Sequence, residues 1–170
     1  INVGSGASNP FELTAVADGR IVFKAYDGAS GAEPWITDGT AAGTVMLRDI
    51  SVGAGGSNPR EFVALGDGRV LFTASDPVHS SELWITDGTS VGTALLRDLW
   101  PNGGSNPYGF TATRDGRALF SAQTDDGQEL WLTDGTTDGT MMLKDIWVGS
   151  GGSYPRGFAA LGDGRFLFAA

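Results

Sequence analysis

An internal repeat of about 48 residues limits what this 170-residue chain can fold into. Asp-Gly-Arg occurs four times at intervals of 49, 48 and 48 residues, at positions 18–20, 67–69, 115–117 and 163–165. Thr-Asp-Gly-Thr occurs three times, each time shortly after a Trp, at 37–40, 86–89 and 133–136. These motifs divide the chain into units 1–49, 50–98 and 99–145 and a partial unit 146–170. The whole chain is therefore predicted to be one array of a repeated supersecondary unit.

Each complete unit contains four short apolar segments separated by turn residues. In the second unit the predicted strands are 62–65, 70–74, 83–86 and 94–99. Gly and Asp stand between the first two and the last two strands, and both residues tolerate the positive φ that tight hairpin turns require. No segment carries apolar residues at helical spacing over three turns, so no helix is expected.

The second strand of each unit indicates how the units pack. It is apolar at consecutive positions, in the segments 21–23, 70–72, 118–120 and 166–168. Consecutive apolar residues mean that both faces of the strand are covered. Four-stranded sheets that are covered on both faces and repeat every 40–50 residues predict an all-β fold, a β-propeller of antiparallel blades. A β-solenoid is the alternative, but hairpin turns argue against it because solenoid coils need parallel neighbours.

Two segments resemble a known repeat. Residues 82–89 and 129–136 read ELWITDGT and ELWLTDGT and are similar to the ELWxxDGT repeat family, whose tandem arrays occur in secreted or surface-exposed bacterial proteins. The first unit departs from the pattern with Pro34 in place of Leu. The resemblance covers the whole chain and implies a propeller-like fold and an extracellular or cell-surface location. It brings no catalytic residues with it.

Composition excludes several classes of function. The chain has 20 acidic and 11 basic residues, a net charge of −9 and a pI near 4.3. Nucleic-acid binding is not expected, because it needs a basic stripe. No apolar run is long enough for membrane insertion. The absence of Cys excludes a disulfide scaffold, thiol catalysis and Cys-bound zinc. We expect no cofactor and no metal.

The repeated polar residues are interpreted as structural. The Asp residues of both turn motifs, and of the basic-Asp pair that follows them, are expected to accept hydrogen bonds from turn N–H groups. The Arg of Asp-Gly-Arg is expected to pair with one of Asp49, Asp98 and Asp145. The repeated Trp (Trp35, Trp84, Trp131) is assigned to the core between blades.

Loops that differ between units are the candidate binding surface, since binding residues usually lie on loops of a rigid scaffold. In a four-stranded meander these loops lie on the face opposite the invariant turns. Trp100 and Trp147 stand out, because the same position holds Asn2 and Ser51 in the other units. Each could stack on a sugar or anchor a partner, or instead cover a neighbouring blade. The candidate ligand-binding residues are Trp100, Trp147, Tyr26, Tyr108, Tyr154, Asp125 and Asp126, and further polar residues on these loops are Asp27, Asp76, His79, Arg60 and Arg156.

Catalytic and calcium-binding interpretations are possible but less favoured. His79, the one His in the chain, lies beside Ser80 and Ser81, so a Ser-His-Asp hydrolase is conceivable. Adjacent Asp125 and Asp126 could donate oxygens to Ca²⁺, which needs six to eight ligands. A loop His and paired Asp residues in a turn are both commonplace on surfaces, so no catalytic residue is assigned.

The function is predicted from the number of repeat units. Propellers have about four to eight blades, and three and a half units cannot close such a ring. The chain is therefore predicted to be a non-catalytic scaffold or binding module. Its partners would be copies of itself, which complete a ring, or the remaining blades of a larger protein. The alternatives are a secreted, lectin-like carbohydrate- or surface-binding module and, less favoured, a hydrolase.

Overall fold

Four antiparallel sheets follow one another along the chain in a computed structural model that describes residues 1–170. Three sheets have four strands and the last has two, and no helix is present. Blade 1 contains β1 (Phe11–Ala15), β2 (Ile21–Tyr26), β3 (Ala32–Thr37) and β4 (Val45–Met46), and blade 2 contains β5 (Arg60–Ala64), β6 (Val70–Asp76), β7 (Ser80–Thr86) and β8 (Ala94–Arg97). Blade 3 contains β9 (Tyr108–Ala112), β10 (Ala118–Thr124), β11 (Gly127–Thr133) and β12 (Met141–Lys144), and the half-blade 4 contains β13 (Arg156–Ala160) and β14 (Phe166–Ala169).

Every complete blade is a meander in which sequential strands pair with one another. We call the first two strands of a blade its first hairpin and the last two its second hairpin. This arrangement confirms the predicted all-β fold of four-stranded antiparallel blades, with three complete blades and a half. No helix in the chain has the length and hydropathy needed to cross a bilayer.

The strand bounds differ from the sequence prediction at three places in blade 2. β5 runs from Arg60 to Ala64 instead of from 62 to 65. The β6–β7 ladder continues to the pair Asp76 and Ser80, beyond the predicted end at residue 74, because pairing satisfies backbone N–H and C=O groups up to the turn. β8 ends at Arg97 instead of residue 99. Leu99 has left the ladder, because its N–H donates to the carboxylate of Glu82.

The hydrophobic core lies between adjacent blades. Each blade has an aliphatic face toward the following blade and an aromatic face toward the preceding one. Leu71, Leu83 and Leu96 of blade 2 pack in one cluster with Phe120 and Trp131 of blade 3. The assignment to the core between blades is thus confirmed for Trp84 and Trp131, whereas Trp35 is buried among residues of blade 1 alone. Burying an aromatic side chain of this kind contributes on the order of 2–3 kcal/mol.

The first strand of each blade carries a bulge at the same position. The residues there have positive φ: Glu12, Glu61, Gly109 and Gly157. The backbone N–H of Glu61 donates to the Glu12 carboxylate at 2.5 Å, and that of Gly109 donates to the Glu61 carboxylate at 2.8 Å. The bulge exposes an N–H that the ladder does not use, and the preceding blade supplies its acceptor.

Candidate functional site

The Asp-Gly-Arg turn pairs its own two charged residues. Arg20 Nε lies 2.6 Å from Asp18 Oδ2, and the same pair forms at Arg69, Arg117 and Arg165. The predicted pairing of these arginines with Asp49, Asp98 or Asp145 is wrong, because the Asp two residues earlier already lies within reach. Hydrogen bonds from Arg117 lower the pKa of Asp115 to about 2.

The remaining side-chain N–H groups of Arg20 and Arg69 connect neighbouring blades. Arg20 Nη1 donates to the carbonyl oxygen of Gly88 at 3.0 Å. Arg69 donates to the carbonyl oxygens of Gly135 at 2.8 Å and Asp134 at 3.0 Å. Each acceptor lies in the Thr-Asp-Gly-Thr turn of the following blade. The two invariant turn types therefore share one face of the array, as predicted.

The Thr-Asp-Gly-Thr turn holds its shape through its own side chains. Asp87 accepts hydrogen bonds from the backbone N–H and the hydroxyl of Thr89, and the hydroxyl bond is the main cause of its lowered pKa. The hydroxyls of Thr86 and Thr93 lie 2.8 Å apart across the second hairpin. A Cβ at Gly92 would overlap the Asp87 carboxylate, which explains the second Gly of the repeat. The structural interpretation of this motif is confirmed.

Sequence reasoning missed a buried glutamate in every complete blade. Glu82 is fully buried and accepts hydrogen bonds from the backbone N–H groups of Leu99 and Ser105 and from the Ser105 hydroxyl. These donors belong to the link toward blade 3. Burial raises the pKa of Glu82 above its ordinary value, although the bonds from Ser105 and Leu99 oppose the shift.

The other two glutamates make the same contacts. Glu33 accepts from Ile50, Ser51 and Ser57, and its pKa is likewise raised by burial, while Glu129 accepts from Ile146 and Ser153. The sequence shows this contact as a recurring spacing, because each of these glutamates stands 23 or 24 residues before a Ser. Each blade thus fixes the link that leads to the next one.

The basic-Asp pair connects blades through its basic residue only. Arg48 Nη1 donates to the Thr93 carbonyl oxygen at 2.8 Å, and Arg97 donates to the Thr140 carbonyl oxygen of blade 3. The Asp partners do not accept the turn hydrogen bonds expected of them. One carboxylate oxygen of each is buried without a hydrogen-bond partner, at Asp49, Asp98 and Asp145. The predicted turn hydrogen bonds are therefore wrong for these three residues.

The variable loops and links lie together on the opposite face, as predicted. The indole N–H of Trp100 donates to Asp125 at 2.8 Å, so Trp100 covers the next blade and binds one of the other candidate residues. Its counterpart Trp147 is 65% exposed. An open groove of about 550 Å³ brings Trp147 together with Tyr154 and Arg156. The remaining candidates, Tyr26, Tyr108 and Asp126, do not line that groove.

His79 forms an ion pair with a residue of its own turn. Its Nδ1 lies 2.8 Å from Asp76 Oδ2, and this hydrogen bond raises the pKa of His79. The Ser81 hydroxyl accepts a hydrogen bond from Arg60 at 3.0 Å, not from His79. No group of three or more His, Cys, Asp or Glu side chains is placed to hold a metal ion.

The open end of the array, formed by β12, β13 and β14, is the most distinctive surface of the molecule. Leu47, Leu96 and Leu143 occupy one repeat position and are 2%, 8% and 49% exposed. Phe72 and Phe120 are fully buried, whereas the equivalent Phe168 is 38% exposed. A groove of about 220 Å³ between the Asp-Gly-Arg turns of blade 3 and the half-blade is lined by Thr113, Arg114, Arg117 and Arg165. The second hairpin of a following blade covers this region at the inner interfaces.

Comparison with known proteins identifies the fold. No family model and no curated protein matches the sequence. A solved structure titled "Crystal structure of puromycin hydrolase" is similar in fold, with a TM-score of 0.55 and 16% sequence identity over 94% of this chain. The chain spans about 24% of the length of that propeller-type hydrolase. The likeness shows that the fold is propeller-like.

Proposed function

We propose that this chain is a non-catalytic propeller scaffold that joins further blades at its ends, with a second copy of the chain as its partner. The exposure of Leu143 and Phe168, at positions that are buried elsewhere in the repeat, carries the proposal. Exposed apolar patches of this kind mark association surfaces. The unpaired edge of β14 adds a row of free backbone groups that favours association.

The two ends of the array are complementary. Arg165 has the same contacts within its turn as Arg20 and Arg69, yet it makes no hydrogen bond to another blade. At the other end, no arginine reaches the carbonyl oxygens of Asp38 and Gly39 in the turn of blade 1. A head-to-tail contact would supply Arg165 and the turn of blade 1 with the hydrogen-bond partners found at the inner interfaces. Heterologous contacts of this kind form a ring when the rotation closes.

The mass of the chain in solution tests this function. Two chains of 17.6 kDa give about 35 kDa and seven units, within the range of natural propellers, in which the two half-blades pair with each other or exchange strands. Light scattering across a concentration series is expected to show this mass, and the variant Leu143→Glu is expected to shift it to the monomer. Val91→Glu is the control, because Val91 is exposed on a turn away from the open end. A wild-type monomer at all concentrations would overturn the proposal.

Carbohydrate binding is a second candidate function, favoured by Trp147 and Tyr154 at the groove on the variable face. Exposed aromatic rings are suited to stacking on sugars. A glycan array with the wild type, Trp147→Ala and Trp100→Ala tests it. Loss of binding only in Trp147→Ala is expected, because Trp100 already donates to Asp125. Equal glycan binding by all three proteins would remove the groove as the site.

The sequence similarity to ELWxxDGT repeat arrays supports a further part of the proposal, an extracellular or cell-surface location. The matching segments are 82–89 and 129–136. Protease accessibility of the protein on intact cells of its source would test the location. Protection of the protein until the cells are lysed would contradict it.

A further inference from the structure

We infer that the open end is a docking site for a β-hairpin that ends in an Asp-Gly turn, like the second hairpin of blade 3. The incoming hairpin would pair with β14 and complete blade 4. This inference rests on the same open end as the proposed function and names the element that the end accepts. Four side chains, taken in turn below, carry it.

Arg117 lacks the acceptors that its counterparts have. Arg69 donates to two carbonyl oxygens of the turn at Asp134 and Gly135, and Gly135 packs against both Arg69 and Leu65. The residues of blade 3 at those positions are Arg117 and Thr113, and both line the groove of about 220 Å³. The side chain of Arg117 hydrogen bonds only to Asp115. The groove is therefore where the turn of a following hairpin would lie.

Lys144 and Trp147 also lack hydrogen-bond partners that a second hairpin would supply. Their counterparts Arg97 and Trp100 donate to Thr140 and Asp125, which flank the strands of the second hairpin of blade 3. Lys144 and Trp147 make no such hydrogen bond and are exposed. An incoming hairpin would offer a backbone carbonyl oxygen to Lys144 and an acidic side chain before its first strand to Trp147.

Phe168 and the edge of β14 supply the apolar and backbone contacts. The counterpart of Phe168 in blade 3, Phe120, packs beside Trp131 of the second hairpin, with ring centroids 6.3 Å apart. The counterpart of β14, β10, pairs with β11 over seven residues. Strand addition at a free edge gives affinity through main-chain hydrogen bonds, and side-chain pockets give specificity. The Trp of the incoming hairpin is the expected match for Phe168.

The chemistry of the groove favours an Asp-Gly turn as its occupant. Gly at positive φ lets such a turn expose successive carbonyl oxygens, as Gly88 and Gly135 do. Arg114, Arg117 and Arg165 line the groove together with Asp115, which pairs with Arg117, so the charged residues of the lining are net positive. The second hairpin of blade 3 is flanked by Asp125 and Asp126 and carries Asp134 and Asp138 in its turn. Charge and shape thus both match a hairpin of the chain's own kind.

A labelled peptide spanning residues 125–145 tests the inference by fluorescence anisotropy with the full chain. Saturable binding is expected, with a blue shift of Trp emission that is smaller in Trp147→Phe, because only the Trp131 of the peptide is then newly buried. Arg117→Ala is expected to bind the peptide about tenfold more weakly, since it loses charged hydrogen bonds to the turn. Arg20→Ala is the matched control and should bind like the wild type, because Arg20 has the same motif position but lies in blade 1, where it donates to Gly88 of blade 2.

The outcomes separate this inference from the proposed function. A chain that stays monomeric but binds the peptide would remove self-association and leave the hairpin site in place. A chain that self-associates but shows no saturable peptide binding would overturn the inference alone. Equal weakening in Arg117→Ala and Arg20→Ala would also overturn it, because binding would then not depend on the groove beside Arg117.

Discussion

The interface between blades 2 and 3 and the interface between blade 3 and the half-blade use the same repeat positions with opposite results. Leu96 and Phe120 are buried at the interface between blades 2 and 3. Leu143 and Phe168 are exposed at the interface between blade 3 and the half-blade. The two interfaces differ because blade 3 has a second hairpin and the half-blade does not. The first hairpin alone leaves the preceding blade's aliphatic face uncovered.

Hydrogen bonding shows the same contrast. Arg69 and Arg97 of blade 2 both donate to carbonyl oxygens in the second hairpin of blade 3. Arg117 and Lys144 of blade 3 occupy the same positions and have no such acceptors. The second hairpin therefore provides both the apolar cover and the polar contacts, and a blade is stable against its neighbour as a four-stranded unit.

The largest expected effect comes from the repeated Phe. Phe120→Ala should lower the free energy of unfolding by about 4 kcal/mol, because it leaves a cavity between two complete blades. Phe168→Ala should lower it by about 1 kcal/mol, because that ring is already partly in water. Urea unfolding followed by circular dichroism measures both. Equal losses would mean that the half-blade buries its Phe as fully as blade 3 does.

The buried glutamates should give the next largest effect. Glu82→Gln should cost about 3 kcal/mol, because the amide nitrogen cannot accept from the N–H groups of Leu99 and Ser105 and leaves buried donors unpaired. Glu129→Gln should cost about half as much, because Ile146 of its link is exposed and water can reach it.

The pH dependence of the same variants gives a second test. Burial raises the folded-state pKa of Glu82 above its unfolded value of 4.5. The protonated carboxyl therefore stabilises the fold, and this contribution is complete below pH 4.5. It is lost as pH rises through the folded-state pKa. Relative to the wild type, Glu82→Gln should therefore lose least stability near neutral pH and more near pH 4.5. Unfolding at a series of pH values measures this. A gap that narrows on acidification would contradict the raised pKa.

The arginine contacts between blades should matter less. Arg69→Ala should lower the free energy of unfolding by about 1 kcal/mol, because its guanidinium is partly exposed and bonds two carbonyl oxygens of blade 3. Arg165→Ala should change it by only a few tenths of that amount, because Arg165 contacts its own turn alone. Thermal unfolding of both variants in parallel provides the comparison, and equal shifts would show that the contact between blades adds no stability.

The smallest expected effect concerns the turn after β6. The Asp76 hydrogen bond raises the pKa of His79, so this pair stabilises the fold fully below pH 6.5 and less as pH rises through the folded pKa. The contribution should stay below about 1 kcal/mol, as for other partly exposed pairs. An NMR titration of the His79 ring, with His79→Asn as the reference for stability, measures it. An unshifted ring pKa would contradict the pairing.

Several features of the fold could be predicted from the repeat. The unit boundaries, the four-stranded blades, the core position of the Trp residues and the shared face of the invariant turns all follow from local patterns that recur every 48 or 49 residues. The ends of the strands could not be predicted as accurately. Asp76 belongs to β6 because it pairs with Ser80, and Leu99 lies outside β8 because its N–H donates to Glu82.

The polar contacts between blades were the main failure of sequence reasoning. Asp49, Asp98 and Asp145 recur like the turn Asp residues, but recurrence alone cannot distinguish an acceptor in a turn from a carboxylate with a buried, unpartnered oxygen. No role was predicted for Glu33, Glu82 and Glu129, because burial of a charge is unusual and becomes favourable only when donors from a distant link surround it.

The sequence by itself determined the blade, because turn chemistry and apolar spacing act over a few residues and are written out three and a half times. The tertiary structure alone decided which residues meet between blades, since those contacts join positions 40 to 68 residues apart along the chain. It also decided that Trp100 is covered while Trp147 is exposed. Identical repeat positions acquire different environments when only one of them has a complete neighbour.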